Sequence, residues 1–327
     1  MDITTIAVLG GSGFVGRHVC HALAAEGYRV RVPTRDRELA KEQLILLPTV
    51  DVVRVDVHDP AELSTFVRGA DAVVNLVGVL HQGRGNASFE QAHVALARKV
   101  VDSCRAEGVR RLIHMSALNA DPGGPSVYLR TKGEAERIVR ESALEWTIFR
   151  PSVIFGRGDR FLNLFAELLG FTPVLLLGCP DARFQPVFVE DVARAFEASL
   201  EDIASHGKSY DLCGPRVYRL RELVEYAGRV TGRKRPVIGL NDTLSKLQAA
   251  VMGLLPIKLL TLDNYHSMKV DSVCRCEFSF GIVPSALEGV APSYLGNRTP
   301  RARYQKMREY AHRMRQAGTA GAQKRRA

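Results

Sequence analysis

The sequence predicts an α/β fold: a doubly wound parallel sheet with a smaller, interleaved C-terminal lobe and a basic helical tail. Three observations predict it. An apolar run over residues 3–9 leads straight into Gly10-Gly11-Ser12-Gly13-Phe14-Val15-Gly16. Strand-like and helix-like segments then alternate through the first half of the chain, the pattern of right-handed β-α-β crossovers. Beyond Pro151 the alternation loosens.

Residues 3–9 read as a parallel strand buried on both faces, and 17–26 as an amphipathic helix. Strands follow at 29–34 and 50–55, a helix at 61–68 and a strand at 72–77. A long helix over 89–107 stops at Gly108, followed by a strand at 111–115, a helix at 128–142 and a strand at 146–150. Phe161, Leu164, Phe165, Leu168 and Leu169 form a helical stripe. Strands at 186–189 and 209–212 and helices at 190–200 and 220–231 complete the lobe, with some late strands rejoining the main sheet. Glu190-Asp191 reads as a helix N-terminus. The expected division is 1–155 for a nucleotide-binding core, 156–297 for the lobe and 298–327 for the tail. The Leu-rich stretch 244–262, broken by Gly253 and Pro256, is either a core helix pair or a docking surface.

With 327 residues, 46% hydrophobic and 24% charged, the composition is that of an ordinary globular protein. The formal charge of +10 is concentrated in the tail, where ten Lys/Arg stand against Glu309 alone, so the body is near neutral. This distribution argues against a nucleic-acid-binding body. Thr299-Pro300 starts a helix whose Tyr304, Met307, Ala311 and Met314 share a face among arginines. Such a basic helix suits an anionic membrane surface or an acidic partner; a solvated, frayed tail is the alternative. The first strand begins at Ile3, leaving no room for a signal peptide, and apolar runs fall short of the about 20 residues of a spanning helix. A cytoplasmic location is expected. The six cysteines suggest no disulfide framework, Cys20 and Cys104 falling on core-facing helix positions. Cys274-Arg275-Cys276 lacks a nearby His or second Cys pair and reads as non-metal.

The glycines at 10, 13 and 16 stand where a strand-to-helix turn needs them to bind a dinucleotide, with the pyrophosphate at the helix N-terminus. Their G-x-x-G-x-x-G spacing is similar to that of the extended and atypical short-chain dehydrogenase/reductase superfamily, a Rossmann fold. The ribose-discriminating tip of the second strand falls on Thr34-Arg35, a hydroxyl and a guanidinium in place of an acid, which favours NADP(H) over NAD(H). Asp36 would restore NAD preference if the register slipped by two. Asp56-Val57 resembles the superfamily's adenine contact, while Asp59 before Pro60 is the better helix cap.

Tyr128-Leu129-Arg130-Thr131-Lys132 places a phenol and an ammonium one turn apart on one helix face, where the cation favours phenolate and can hold the nicotinamide ribose. The catalytic candidates are thus Tyr128 and Lys132, with Ser116 as a third. In His114-Met115-Ser116-Ala117-Leu118-Asn119, however, Leu118 stands where relatives place the catalytic hydroxyl. Ser116 reads as a strand-end serine bonded to backbone, or as a hydroxyl serving from a shifted position. The segment before Tyr128 is also short. His81, in the loop after the fourth strand, reads as an exposed loop residue or as one facing the nicotinamide, and His93 and His114 as ordinary helix and strand residues.

Residues 10–18, Ile113-His-Met-Ser-Ala117, Arg150-Pro-Ser-Val-Ile-Phe-Gly156 with Asp159-Arg160-Phe161, and Arg183-Phe-Gln-Pro-Val-Phe-Val189 with Asp191-Val-Ala193 occur in that order. Together they resemble the family of the complex I alpha-subcomplex subunit 9, in its shorter bacterial form. The resemblance implies a protein that holds NADP(H), without necessarily turning it over. It also implies association with respiratory complex I or a quinone-biosynthesis assembly, peripheral on the cytoplasmic face of the inner membrane. An active NADPH-dependent oxidoreductase on an isoprenoid-quinone-like substrate and an NADPH-sensing regulator are the alternatives. The implied cofactor cradle comprises Gly10, Ser12, Gly13, Phe14, Val15 and Gly16, then Thr34, Arg35, Asp56 and Val57. Leu76, Val77, Gly78, Ser116, Tyr128, Lys132, Pro151 and Val153 complete it.

Overall fold

The apolar run after Ile3 becomes β1 (Thr5–Leu9), the centre of a seven-stranded parallel sheet. The computed structural model describes residues 3–44, 47–83, 85–254 and 260–296, together with Arg308. Apart from Arg308, the basic tail with its expected helix lies outside the described residues.

Along the chain, β1 is followed by α1 (Phe14–Ala25), β2 (Arg29–Thr34), α2 (Arg37–Leu44), β3 (Val50–Arg54), α3 (Pro60–Val67) and β4 (Ala72–Asn75). Then come α4 (Leu96–Ala106), β5 (Arg111–Met115), α5 (Val127–Arg140), β6 (Glu145–Pro151), α6 (Phe161–Phe171) and α7 (Val189–Ala198). We label Lys208–Leu212 β7; α8 (Leu220–Val230), α9 (Asp242–Gly253) and α10 (Leu262–Ser267) complete the longer elements. The sheet order is β3-β2-β1-β4-β5-β6-β7, all neighbours parallel. The order reverses between β1 and β4, which opens the ligand crevice at the carboxyl ends of those strands.

Two differences from the sequence reading have local causes. Helix α2 was not foreseen, because residues 37–44 are mostly polar and bury only Ala40 and Leu44 among the side chains described. The long helix expected over 89–107 begins instead as a π-helical segment, Glu90–Ala95, before continuing as α4. π turns interrupt helices mainly where a side chain has a special task, and this one carries His93.

Both faces of the sheet are covered. Ile6 and Val8 of β1 pack with Val19 and Leu23 of α1 and Val192 and Phe196 of α7. Ala7 and Leu9 face the opposite layer, with Leu63 and Phe66 of α3 and Val100 of α4. A third device is polar. Arg111, almost fully buried, donates to the carbonyls of Glu145 (2.7 Å) and Leu200 (3.2 Å), to Ser199 O, and to the hydroxyls of Thr147 (2.9 Å) and Ser205 (3.0 Å). One guanidinium thereby ties β5 to β6 and to the chain leaving α7.

β7 rejoins the main sheet beside β6, while α6 and α8 form a separate apolar layer with Leu287, Ala291 and Leu295. Asp191, fully buried in the first turn of α7, accepts from Ser285 N–H (2.6 Å) and pairs with Arg194, pinning the C-terminal segment to the core. Helix α9 buries Ser245 and Ala249 but exposes Leu244, Leu247 and Val251, so it is not a core helix. No helix among the described residues is long and apolar enough to cross a membrane. Cys213 and Cys274 form a disulfide with their Cα atoms 6.0 Å apart. This corrects the expectation of no disulfide: the partners lie 61 residues apart, a separation no spacing rule reads.

Candidate functional site: a dinucleotide cradle

Gly10 has φ of +80°, and a Cβ there would meet the backbone of Leu76 and Val77 at 3.2 Å. The turn after β1 and the chain leaving β4 are therefore in backbone contact, which brings Leu76, Val77 and Gly78 beside the glycines. A Cβ on Gly16 would stand 2.1 Å from the Gly10 carbonyl oxygen, and one on Gly13 at 3.1 Å from the same atom. Gly16 thus lets the first turn of α1 lie directly on the loop. Gly13 is the N-cap, extended and without a side-chain cap. The leading N–H groups of Phe14, Val15 and Gly16 are left for an anion, at the positive end of the helix. Ser12 and Phe14 are half-buried at the mouth, and Val15 is buried.

β2 ends on Thr34, with Arg35 and Asp36 immediately beyond its tip. The Thr34 hydroxyl donates to Asp36 O (2.9 Å) and accepts from Asp36 N–H (3.2 Å), closing a local turn that turns Arg35 outward, where it is exposed. Asp56 accepts from His58 N–H at 3.0 Å, Lys99 Nζ donates to His58 O at 2.6 Å, and Val57 and Val77 both pack on the adjoining core. Burial holds the His58 pKa below its ordinary value; Asp56 opposes this, and Lys99 and Arg35 add to it. Arg35 and Lys99 therefore bring positive charge to the His58 segment, just beyond the end of β3. Asp59 caps α3, accepting from Ala61 and Glu62 N–H at 2.8 and 3.1 Å.

The Tyr128–Lys132 pair lies in the first turns of α5. Ser126 caps that helix through Leu129 N–H (3.1 Å), while the Asp263 carboxylate of α10 accepts from Val127 N–H (2.6 Å) and Tyr128 N–H (3.2 Å). Lys132 is buried, and its Nζ donates to the Met115 carbonyl at 3.0 Å. A Cβ on Gly78 would stand 3.1 Å from that Nζ, so the loop after β4 closes over the lysine. Burial lowers Lys132 to about 8, with Glu136 opposing. Tyr128 is pushed up to about 12 by burial and by Asp263. The anticipated easing toward phenolate by Lys132 is therefore outweighed: the lysine is engaged by a carbonyl, and the charge that bears on the phenol is a carboxylate.

Ser116 donates its N–H to Phe149 O (2.7 Å), but its buried hydroxyl has no hydrogen-bond partner among the described residues, correcting the expectation of a backbone-bonded side chain. Leu118 is buried with its N–H on Pro151 O (3.0 Å), so the position expected to offer a hydroxyl offers a methyl-bearing wall. Val153 accepts from Val187 N–H (3.0 Å) just beyond the end of β6. The short connection before α5 is possible because Gly133 has no side chain; a Cβ there would meet the Asp121–Pro122 backbone at 2.4 Å.

His93 and His114, ordinary helix and strand residues by sequence, both lie around Lys132 in the fold. His93 Nε2 accepts from Val79 N–H (3.2 Å), so its proton is on Nδ1 and is donated to Thr131 Oγ1 (2.9 Å). Thr131 in turn donates to the α5 backbone, to Val127 O (3.0 Å) or Tyr128 O (3.1 Å). The neutral ring thus fastens the loop after β4 to α5, with the Tyr128 ring edge-on at 5.6 Å. His114 Nδ1 meets Asn75 Nδ2 at 3.3 Å, and its buried Nε2 has no partner among the described residues. No spacing signal marks either histidine. His81 is partly buried rather than exposed.

The two imidazoles give a pH prediction. Burial, with Lys132 adding to it, depresses His93 to about 2 and His114 to about 3, against an ordinary 6.5. Both are neutral when folded and protonate when unfolded. Their contribution is complete above pH 6.5 and is lost as pH falls from there toward about 3. His93→Gln should therefore flatten the dependence of unfolding free energy on pH between 6 and 4 by about 1.4 kcal/mol per unit. Urea titrations across that range would show it; an unchanged slope would mean the ring is already protonated in the folded protein.

These features fit a dinucleotide: an uncapped helix N-terminus lies on a glycine turn, and two buried polar atoms lack partners at the far end. Residues 10–159 match the NAD(P)H-binding family model. The chain is 38% identical over 309 residues to the Arabidopsis thaliana NADH dehydrogenase [ubiquinone] 1 alpha subcomplex subunit 9, covering 88% of this chain and 76% of that one. It is 30% identical over 248 residues to a Caulobacter vibrioides ceramide reductase, covering 72% and 74%. Among solved structures, the NADPH complex of the Escherichia coli quinone oxidoreductase QOR2 superposes with a TM-score of 0.70 at 18% identity, covering 89% of this chain and 99% of that one.

Proposed function

The chain belongs to the complex I alpha-subcomplex subunit 9 family and carries an NAD(P)H-binding domain, and from that premise we propose that it is an accessory or assembly factor of a membrane-bound NADH:ubiquinone system, with a bound NADP(H) that is largely structural. The observation that carries the second clause is the catalytic end of the cradle. Leu118 replaces a hydroxyl, Tyr128 is held as a weak acid beside Asp263, and Lys132 is engaged by Met115 O. NADPH, when bound, would supply a hydride; here the glycine turn would hold its phosphates and Lys132 its ribose. The family's association with complex I extends to this chain as part of the same proposal.

The preference for NADP(H) rests on Arg35 and Lys99 near the ends of β2 and β3, since a guanidinium pairs well with a 2′-phosphate. Arg35→Ala should lower the NADPH-over-NADH affinity ratio by about tenfold, the cost of one charge-assisted contact. Calorimetric titration with both nucleotides measures this, and an unchanged ratio places the discriminating group elsewhere.

The accessory role is tested by Tyr128→Phe in the native organism. Complex I content and respiration should stay at wild-type level, and purified protein should bind NADPH without oxidising it against ubiquinone analogues or ceramide-like ketones. One observation favours a reductase instead: the partnerless Ser116 hydroxyl could receive a substrate oxygen, and a ceramide reductase is among the relatives. NADPH oxidation that disappears in Tyr128→Phe would establish that reading and reject a structural nucleotide.

A further inference from the structure

The fold assembles a cluster that no stretch of sequence contains. Asp211 lies on edge strand β7, with Leu212 buried in the core and Cys213 immediately beyond the strand end. Opposite them runs the segment with Cys274 and Cys276. The Asp211 carboxylate and the sulfurs of Cys274 and Cys276 all lie within 4.8 Å of one another, and Cys213 is bonded to Cys274. Two sulfurs and a carboxylate thus gather at one place, with the Cys213 sulfur attached to one of them.

The convergence is held by groups other than the disulfide. Gln185 accepts from Cys274 N–H through Oε1 (3.0 Å) and donates through Nε2 to Gly214 O (2.6 Å), so one amide spans both cysteine segments. Its backbone does the same, with its N–H on Ser272 O (3.0 Å) and its carbonyl accepting from Gly214 N–H (3.2 Å). Ser152 Oγ adds a bond to Ser272 O at 2.8 Å. Arg150, the cross-strand neighbour of Asp211, is engaged by Glu136 at 2.8 Å. A structural disulfide uses two sulfurs and needs neither a third thiol nor a carboxylate beside it.

We propose that Asp211, Cys213, Cys274 and Cys276 form a Zn²⁺ site in the reduced protein, the Cys213–Cys274 disulfide being the metal-free oxidised form of the same site. Three thiolates and one carboxylate are a tetrahedral zinc set, and the sulfurs select a soft ion over Mg²⁺ or Ca²⁺. Zn–S bonds of about 2.3 Å require ligand separations near 3.8 Å, within reach of side-chain rotation from the distances observed. Cys276 is exposed and gives the ion an entry path, while Gln185 orients the backbone beneath the ligands. Interconversion is thiol–disulfide exchange: an external disulfide takes two electrons from the Cys213 and Cys274 thiolates, the new S–S bond forms, two external thiolates leave and Zn²⁺ is released. A dithiol reductant runs it in reverse. In either form the site clasps the segment whose Asp271 carbonyl accepts from Asn119 (2.9 Å), just past the end of β5.

The test uses the full chain, reduced with a phosphine, stripped with a chelator and titrated with Co²⁺. One equivalent should bind with thiolate-to-cobalt charge-transfer bands and the visible bands of tetrahedral Co²⁺, and Zn²⁺ should displace it. Oxidation to the disulfide should abolish these bands. Cys276→Ser and Asp211→Asn should each weaken Co²⁺ binding more than about tenfold while NADPH affinity, which reports an intact fold, is retained. A reduced chain without charge-transfer bands, or wild-type Co²⁺ affinity in either variant, would overturn the site.

Discussion

Gly16→Ala is expected to weaken NADPH binding by about 100-fold, the scale of loss that an ångström of misplacement brings to an oriented site, and to lower stability by about 3 kcal/mol. The added methyl would stand 2.1 Å from the Gly10 carbonyl oxygen and 2.6 Å from Gly11 Cα. Both are backbone atoms, so no side chain can swing aside. Either α1 lifts off the turn or the turn opens, and both movements displace the N–H groups offered to the phosphates. Gly27→Ala is the matched control. Gly27 closes the other end of α1 at φ +88° with nothing near its missing Cβ. It should cost only the about 1–2 kcal/mol of a left-handed residue and leave nucleotide affinity alone. Calorimetry of binding and of unfolding on both variants separates the two effects. Equal affinity in Gly16→Ala and wild type would mean that the phosphates do not rest on this turn.

Arg111→Leu is expected to cost about 4 kcal/mol of folding stability without changing NADPH affinity in the folded fraction. The guanidinium is nearly inaccessible and is solvated by five oxygens rather than paired with a carboxylate. Removing it takes a donor from the buried carbonyls of Glu145 and Leu200 and from the hydroxyls of Thr147 and Ser205, while Ser199 O keeps the Ser205 hydroxyl at 3.1 Å. Arg111→Lys should recover only part of the loss, because three donors on a compact ammonium cannot span five acceptors. Chemical denaturation with parallel nucleotide titration measures both quantities. A loss below about 1 kcal/mol would mean that water enters and replaces the guanidinium. The residue lies at the start of β5, at the edge of the sheet opposite the crevice, which is why stability and binding should part company.

Much of this was legible in order along the chain. The glycine turn, the strands on either side of it and the Tyr128–Lys132 spacing are local patterns, and local patterns survive translation into three dimensions. Asp59 was the better cap because Pro60 follows it, and Thr34 proved to be the last residue of β2. Helix α2 escapes the sequence reading because it is short and only Leu39, Ala40 and Leu44 in it are apolar. His93 was missed because its role depends on a π turn and on two elements, the loop after β4 and α5, that meet only when the sheet is assembled. Asp263 reaches the N-terminus of α5 across 135 residues, and no pattern in the chain predicts that a carboxylate will oppose the phenolate there.

By itself, then, the sequence determined the parallel sheet, the turn for a dinucleotide and the loss of a hydroxyl at Leu118, because each depends on residues within a few positions of one another. Tertiary structure decided the rest. It raised the Tyr128 pKa and lowered that of Lys132, placed the histidines behind them, and brought Asp211 and Cys213 to Cys274 and Cys276. These are matters of burial and of contact between distant segments, and burial and contact exist only once the chain has closed on itself.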